Sequence, residues 1–566
     1  MKMAGAAASR KPRAGAPEKE KERLGRTGAV LIICLTTLPF LVFLFAGRER
    51  ASMVWHSASA KLTTISEGFT NASHASATSA TKADEFLGGL LLPSFDRNSC
   101  LSRYESHQYY RFSPYAPSSY LLRKLREYEA RHKKCAPGTP LYAKSVSQLR
   151  SGRGTEAMEC NYLVWLPYNG LGNRMLSLIS TFVYALLTNR VVLLHSPADF
   201  DDLFCEPFPD TTWVLPPDFP VENLSQLGLN PDQSYRNLLD RKKMSNDPAN
   251  ATVRSVPPYV FLNLGHEHRF MDKLFFCGDD QVVLDKVNWL LVFSDLYIVP
   301  TLYSMARFKD ELRLMFPEKE SVAHLLGRYL FHPTNSVWGL ITRYYHSYLA
   351  QAEQIIGIQI RMFPFGTIPV DDMYNQILSC SRQEHILPTV EGDQEAETGN
   401  NLTMNGTTRS GGADSKSKAI LIASLYADYY ERLRLTYYEH AAKGGARVSV
   451  FQPSHEGVQA TERRAHNQKA LSEIYLLGFS DALVTSGMST FGYVSSSLAG
   501  VRPTILLTAH RHKVPATPCV RAVSMEPCNL TPPRVRCPGY AEDKQGDLAQ
   551  HVKRCEDEPI GVKLFD

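Results

Sequence analysis

The stretch IIGIQIRMF, residues 355–363, decides how the second half of this 566-residue chain is interpreted. Its first six residues are mostly apolar and β-branched, which predicts a buried strand. The strand stops at Arg361, and Pro364 and Gly366 then force a loop. Ligands of open α/β sheets bind beyond the carboxyl ends of the strands, and a guanidinium placed there is a charged fork suited to phosphate. A structural salt bridge is the alternative role for this arginine.

Another α/β unit lies earlier in the chain. Residues 162–194 read as a strand, a glycine-rich turn (PYNGLG, 167–172), a helix and a second strand. This order predicts a βαβ unit whose turn brings backbone N–H groups, Asn173 and Arg174 to a helix N-terminus. The glycines lack the G-x-G-x-x-G spacing of a dinucleotide-binding motif. An ordinary tight turn is the alternative.

A third unit follows near residue 482. A short strand, 482–485, leads through Ser486-Gly487-Met488-Ser489 into a helix that begins at Thr490, and 504–507 reads as the last strand. Hydroxyls and free backbone N–H groups at a helix N-terminus can hold a diphosphate without a metal. The alternative is an N-cap made by Ser489 or Thr490. The second glycine comes one residue too late for a hydrolase nucleophile elbow.

The segments between these units carry weaker signals. Asp295 follows the apolar run 288–293, so it is a candidate catalytic base or a helix N-cap. Residues 335–352 and 419–442 each predict a helix, and 390–418 reads as a polar insertion loop.

An Asp-x-Asp pair, Asp199 and Asp201, could hold a divalent metal on a sugar-nucleotide diphosphate. The pair is followed by Asp202, but such spacing is also common in polar loops. A loop pinned by a disulfide is the favoured interpretation.

The N-terminus predicts a membrane anchor. Residues 28–47 are free of charge and long enough to cross a bilayer as a helix. The basic residues lie mainly before this segment, which leaves 1–27 in the cytosol and the body in the lumen. Residues 48–85, rich in Ala, Ser and Thr, then form a stem. A cleaved signal peptide is disfavoured because the apolar run is too long and lacks a clean cleavage site.

Charge, sequons and cysteines agree with a lumenal body. Beyond residue 50 the chain holds 52 basic and 53 acidic residues, which excludes a global nucleic-acid signature. Sequons occur at Asn71, Asn223, Asn250, Asn401 and Asn405, and Asn529 is doubtful because Pro532 follows its threonine. The ten cysteines beyond the anchor allow up to five disulfides of open pairing, some of which staple the tail 511–566.

Several motifs together resemble one family, the plant xyloglucan-type α-1,2-fucosyltransferases of glycosyltransferase family 37. They are LGGLL (87–91), YNGLGNRML (168–176), DDLFCEP (201–207), GRYLFHPTN (327–335), GIQIR (357–361) and SGMSTFGYVS (486–495). The resemblance spans roughly residues 86–507. It implies a GT-B-like α/β fold in which two Rossmann-like domains, an acceptor-side domain at 86–350 and a GDP-fucose-binding domain at 351–510, face a cleft.

The resemblance also implies an activity: transfer of fucose from GDP-fucose to a galactose hydroxyl, with inversion and without a required metal. The protein is expected in the Golgi membrane as a single-pass type II protein. The implied donor-binding residues are Arg361, Ser486, Gly487, Ser489 and Thr490. The implied acceptor-binding residues are Tyr168, Asn169, Asn173 and Arg174. Arg361 is also expected to act in catalysis, with Asp295 as the candidate group for deprotonation.

The sequence is compatible with several alternatives. The acceptor galactose could belong to xyloglucan or to an arabinogalactan protein. A membrane-anchored glycan-binding protein without turnover belongs to a different class, and it would not need GDP at Arg361. A metal-dependent transferase using Asp199 and Asp201 is a third option, and a homodimer is compatible with all of them.

Overall fold

A computed structural model of the chain describes residues 84–152, 157–195, 202–391, 416–509, 511–535, 537 and 551–566. Several predicted features lie wholly outside these ranges, namely the cytosolic segment 1–27, the anchor 28–47, the sequons at Asn71, Asn401 and Asn405, and Asp199 and Asp201. Most of the predicted stem 48–85 and of the predicted insertion loop 390–418 also lies outside them. No helix within the ranges is both long and apolar enough to cross a membrane.

The elements are numbered in chain order. The strands are β1 Tyr162–Pro167, β2 Val191–Leu194, β3 Tyr259–Asn263, β4 Trp289–Ser294, β5 Gln354–Ile360, β6 Ser417–Ser424, β7 Arg447–Phe451, β8 Ala482–Ser486, β9 Thr504–Leu506, β10 Cys519–Arg521, β11 Val552–Arg554 and β12 Val562–Leu564. The α-helices are α1 Leu101–Glu105, α2 Ser119–Cys135, α3 Pro140–Arg150, α4 Leu171–Thr188, α5 Tyr235–Asp240, α6 Gly278–Leu284, α7 Val299–Leu302, α8 Ala306–Met315, α9 Val322–Leu330, α10 Asn335–Tyr344, α11 Val370–Glu384, α12 Asp428–Glu439, α13 Arg464–Gly478 and α14 Thr490–Ala499.

The first sheet is parallel and has the order β2-β1-β4-β3. Its strands are nearly continuous apolar runs because helices cover both faces, as parallel sheets require. The predicted βαβ unit of β1, α4 and β2 is confirmed, with α4 beginning at Leu171, two residues before the predicted start. The third strand, β3, was not predicted.

The second sheet has the order β10-β9-β8-β5-β6-β7 and is parallel except for the edge strand β10. The predicted strand of the GIQIR motif, β5, lies at its centre between β6 and β8. A Cβ on Gly357 would lie 2.6 Å from a Leu483 side-chain carbon, so glycine is needed for the close packing there.

Three sequence predictions are corrected. Residues 419–442 are not one helix, because the apolar run Ala419–Ala423 is buried as part of β6 and α12 begins only at Asp428. A short apolar run has no periodicity that separates strand from helix. In place of the single helix predicted over 335–352, the α-helix ends at Tyr344 and is followed by a π-helical turn, Tyr345–Leu349. The strand at 504–506 is not the last, because three strands follow it.

The cysteine prediction is confirmed, and the structure assigns the pairs: Cys100–Cys205, Cys135–Cys160, Cys277–Cys537, Cys380–Cys519 and Cys528–Cys555. Three of them hold the tail, as predicted. The Asn529 side chain is fully buried and donates to Thr301, so this sequon is not accessible in the fold. Asn223 and Asn250 are exposed.

Candidate active site

A cleft of about 540 Å³ opens between the two sheets. Its walls are the segments that follow the carboxyl ends of β1, β3 and β4 in the first sheet and of β5, β6, β7 and β8 in the second, together with the tail residues Leu530, Thr531, Glu558 and Ile560. Parallel strands place all these ends on the same edge, where α/β proteins bind ligands. The cleft therefore brings together segments that are up to about 390 residues apart in the chain.

Arg361 enters the cleft directly after β5, as the sequence predicts. Its backbone N–H donates to Ser486 Oγ at 2.9 Å, which ties the end of β5 to β8. Within the described part of the chain its half-buried guanidinium forms no ion pair, and it lies 5.7 Å from the centre of the Phe363 ring. Burial lowers the pKa of Arg361 from its ordinary 12.5, and it remains a cation at neutral pH. The alternative of a structural salt bridge is not seen among these residues.

Part of the loop after β8 is hydrogen-bonded to neighbouring strands and does not face the cleft, in contrast to the sequence prediction. Ser486 and Gly487 do not line the cleft. The Ser486 hydroxyl accepts from Arg361, and the Gly487 N–H donates to Leu506 O at 2.8 Å. Both groups shape the loop, and their predicted direct contact with a ligand is not supported by this geometry. Ser489 and Thr490 do line the cleft, and neither caps α14 with its side chain.

An unpredicted carboxylate from the tail holds this loop. Met488 has a left-handed backbone with a φ of +61°, an uncommon conformation for a residue with a side chain. Its N–H donates to Asp557 Oδ2 at 2.7 Å, and the buried Tyr493 hydroxyl donates to the same oxygen at 2.6 Å. Asp557 lies 69 residues after Met488, so no local pattern could have pointed to it.

Asn173 links the two walls of the cleft. Its side-chain amide donates to Asp295 O at 3.1 Å, and its oxygen accepts from the Thr490 hydroxyl at 2.9 Å. The N-termini of α4 and α14 therefore meet, with Gly172 pressed against the backbone of Thr490 and Phe491. The predicted acceptor-side and donor-side loops lie in direct contact.

Asp295 follows β4 and lines the cleft, but it is only 3% exposed. Its Oδ2 accepts from the Asn169 amide at 2.6 Å and contacts His266 Nδ1 at 2.6 Å. Its Oδ1 accepts from the His266 N–H at 3.0 Å. Asp295 is therefore neither a helix N-cap nor a carboxylate open to a ligand.

His266 was not singled out by the sequence, because β3, which it follows, was not recognised. The side chain is 42% exposed and lines the cleft. The hydrogen bond with Asp295 raises the pKa of His266 from its ordinary 6.5, against an opposing effect of burial. The Tyr168 ring lies parallel to the imidazole at 6.2 Å.

Two of the predicted acceptor-binding residues lie behind the cleft wall. Neither Tyr168 nor Arg174 is among the residues that line the cleft. Arg174 donates to Asn169 O at 2.8 Å and to Glu462 at 3.2 Å. Asn169 and Asn173 do line the cleft.

The second-sheet wall contains a buried carboxyl, Glu473. Burial raises the pKa of Glu473 to about 8, and the Ser454 hydroxyl, 2.6 Å away, partly opposes this shift. At neutral pH the group is therefore largely protonated. A neutral carboxyl at this position does not repel an anion in the cleft.

The described residues hold one His/Cys/Asp/Glu cluster with spacing close enough for a metal: Cys528, Cys555 and Asp557. Its two sulfur atoms form a disulfide, so thiolate ligands are not present there. The cluster therefore does not fit a metal site.

Two α/β sheets face one cleft with their carboxyl ends, and Arg361 lines it without an ion pair among the described residues. This arrangement defines a class of proteins that bind an anionic ligand between two halves. Comparison with known proteins narrows this class. Residues 60–538 match the family model described as xyloglucan fucosyltransferase.

Individual relatives agree with the family match. The chain is 46% identical over 484 residues to a galactoside 2-alpha-L-fucosyltransferase of Pisum sativum, covering 85% of this chain and 82% of the relative. It is 45% identical over 484 residues to the Arabidopsis thaliana protein of the same name, covering 85% and 83%. A solved structure of substituted Arabidopsis thaliana FUT1 in complex with GDP superimposes with a TM-score of 0.76 at 44% identity, covering 85% of this chain and 100% of that chain.

The chain belongs to the xyloglucan fucosyltransferase family.

Proposed function

We propose that this chain is an inverting fucosyltransferase, which moves fucose from GDP-fucose to a galactose hydroxyl in an α-1,2 linkage on a plant cell-wall glycan, with xyloglucan as the first candidate acceptor. Family membership and the names of the relatives support this activity. The observation that carries it is the guanidinium of Arg361, which lines the cleft with the N-terminus of α14 and has no ion pair in the part of the chain that the structure describes.

The electrostatics of the cleft suit departure of a diphosphate. In the proposed reaction the bond between fucose C1 and the diphosphate breaks, and negative charge grows on the leaving oxygen. Arg361 and the positive end of the α14 dipole stabilise this charge. Glu473 supports the same role by remaining largely neutral. Donor binding therefore belongs to the second sheet and acceptor binding to the first, in a GT-B-like arrangement of domains 86–350 and 351–510.

We also propose that the body lies in the Golgi lumen as a type II membrane protein. The charge-free segment 28–47 and its preceding basic residues support an anchor. Five disulfides and the exposed sequons Asn223 and Asn250 suit an oxidising compartment.

The test is transfer of labelled fucose from GDP-fucose by the full chain to galactosylated xyloglucan and to arabinogalactan protein. Arg361→Ala is expected to lose about 10²–10³-fold in turnover, because a preorganised donor to the leaving group is removed. Arg447→Ala is the control, since Arg447 is an exposed arginine on β7 away from the cleft.

Each competing function has its own outcome in this assay. Wild-type activity in Arg361→Ala contradicts the assigned role of the arginine. GDP binding without turnover on any acceptor contradicts the transferase. Loss of activity in EDTA, restored by a divalent cation, supports the metal-dependent alternative in place of the metal-free reaction proposed for this chain.

A further inference from the structure

The first-sheet wall of the cleft holds two titratable groups among the described lining residues, Asp295 and His266. An acceptor hydroxyl bound at this wall must lose its proton as it attacks the sugar. Asp295 offers little for this purpose, because it is 3% exposed and both oxygens already have partners. His266 is 42% exposed and faces the cleft.

The contacts of the imidazole define which nitrogen can act. Nδ1 lies 2.6 Å from Asp295 Oδ2, so in the neutral ring Nδ1 carries the proton and donates a hydrogen bond to the carboxylate. Nε2 then holds the lone pair. Among the described residues, the ion-pair contact of Nε2 is with Glu267 Oε1, 3.7 Å away, and the Glu267 side chain is 49% exposed.

We propose that His266 is the general base that takes the proton from the acceptor hydroxyl, and that Asp295 is its positioning residue. This inference rests on the proposed function and names the group that performs one step of it.

The hydroxyl oxygen of the acceptor forms a bond to fucose C1 while the C1–O bond to the diphosphate breaks, and the electron pair of that bond leaves with GDP. The hydroxyl proton moves to His266 Nε2. The imidazolium then carries a proton on each nitrogen, is stabilised by Asp295, and returns the Nε2 proton to water.

Asp295, Asn169 and Tyr168 hold the imidazole in place. The Asn169 amide donates to the same Asp295 oxygen, and Asn169 has a left-handed backbone, φ +62°, that turns the chain after β1. Tyr168 lies parallel to the imidazole and also contacts Phe293. Strand ends of β1, β3 and β4 thus fix the base, a precision that catalysis by proton transfer requires.

Other basic groups in the cleft are less suitable. His466 belongs to α13 on the second-sheet wall, and its Nδ1 is buried. Glu456 is paired with Lys469. Glu473 is largely protonated at neutral pH. Glu558, which lines the cleft from the tail, accepts from the Ile560 N–H at 3.2 Å. Among the described lining residues, His266 is therefore the base that is both open to the cleft and positioned by a carboxylate.

The experiment compares the wild-type chain with His266→Gln and Asp295→Asn, measuring turnover against pH and GDP affinity. His268→Gln is the matched control, a histidine of the same loop that does not line the cleft. His266→Gln is expected to lose about 10²–10⁴-fold in turnover while GDP affinity is unchanged. The wild-type rate is expected to rise with pH as His266 loses its proton, and this rise is expected to disappear in the variant.

Asp295→Asn separates positioning from a purely structural role. Without the carboxylate the pKa of His266 falls, so the pH at which the rate rises is expected to move to a lower value, with reduced turnover at the plateau. An unmoved pH profile contradicts the Asp295 role. If the wild type is active and His266→Gln is equally active, the base assignment is overturned while the proposed function stands. If His266→Gln loses both GDP affinity and activity, the base assignment is also overturned. A wild-type chain that binds GDP and transfers no fucose overturns the proposed function and the base together.

Discussion

At the scale of single residues, Gly172 marks the place where the two halves of the cleft touch. A Cβ built on Gly172 would lie 2.7 Å from the backbone of both Thr490 and Phe491. A Cβ on the nearby Gly170 would lie 2.8 Å from the side-chain nitrogen of Gln459, which can rotate away. The contact at Gly172 involves backbone that cannot move without displacing α14.

Gly172→Ala is therefore expected to destabilise the protein by about 1–3 kcal/mol, as overpacking does, and to lower its thermal unfolding midpoint. Gly170→Ala is the matched control and is expected to change the midpoint much less. Thermal unfolding of the two variants and the wild type checks this. Equal midpoints for both variants would contradict the backbone contact.

At the scale of elements, α14 is held at both ends by residues distant in sequence. Arg328 of α9 donates to Leu498 O near its C-terminus, through two nitrogens at 3.1 Å and 2.7 Å. The C-terminal hairpin of β11 and β12 places Asp557 near the N-terminus of α14, and the disulfide Cys528–Cys555 holds this hairpin. Through Arg328, the GRYLFHPTN motif (327–335) contacts the C-terminal end of α14, and its residues do not line the cleft.

Asp557→Ala leaves the Met488 N–H and the buried Tyr493 hydroxyl without their acceptor. Each unsatisfied buried group costs about 1–3 kcal/mol, so lower stability and weaker GDP binding are expected. GDP titration and thermal unfolding measure both effects. Asp218→Asn, at a side chain 83% exposed, is the control. Unchanged GDP affinity would show that the tail does not position the loop.

At the scale of the whole molecule, several carboxyls are buried in the folded body. Burial raises the pKa of Asp272 to about 7 and the pKa values of Glu473 and Glu526 to about 8, from ordinary values of 3.8 and 4.5. Between the ordinary and the raised pKa, the folded chain binds more protons than the unfolded chain. The stability that these three carboxyls contribute therefore decreases as pH rises through this interval.

Burial lowers the pKa values of His132, His324 and His332, whose contribution to stability rises with pH up to about their ordinary value of 6.5. We therefore expect the carboxyls to make the free energy of unfolding fall between about pH 7 and pH 8. Glu473→Gln keeps a neutral side chain at every pH and is expected to flatten part of this slope. Denaturant unfolding across the pH range measures it, with the exposed Glu439→Gln as control. A slope equal to that of the wild type in Glu473→Gln would show that this carboxyl does not contribute.

The amino-acid sequence by itself determined the strand–helix order of the βαβ unit, the strand that ends at Arg361 and the loop that begins α14. It did so because apolar periodicity and turn residues act over a few neighbouring positions. The same local reasoning failed for Ala419–Ala423, where a short apolar run fits helix and strand equally.

Only the tertiary structure decided which polar groups face the cleft. Ser486 and Gly487 are occupied by neighbouring strands, Met488 is held by a carboxylate 69 residues later, and the pairing of Asp295 with His266 spans 29 residues. The disulfide pairs, too, depend on which segments become neighbours. These contacts follow from strand order, in which β1 lies beside β4 and β5 beside β8, and strand order is a non-local property that no short stretch of sequence contains.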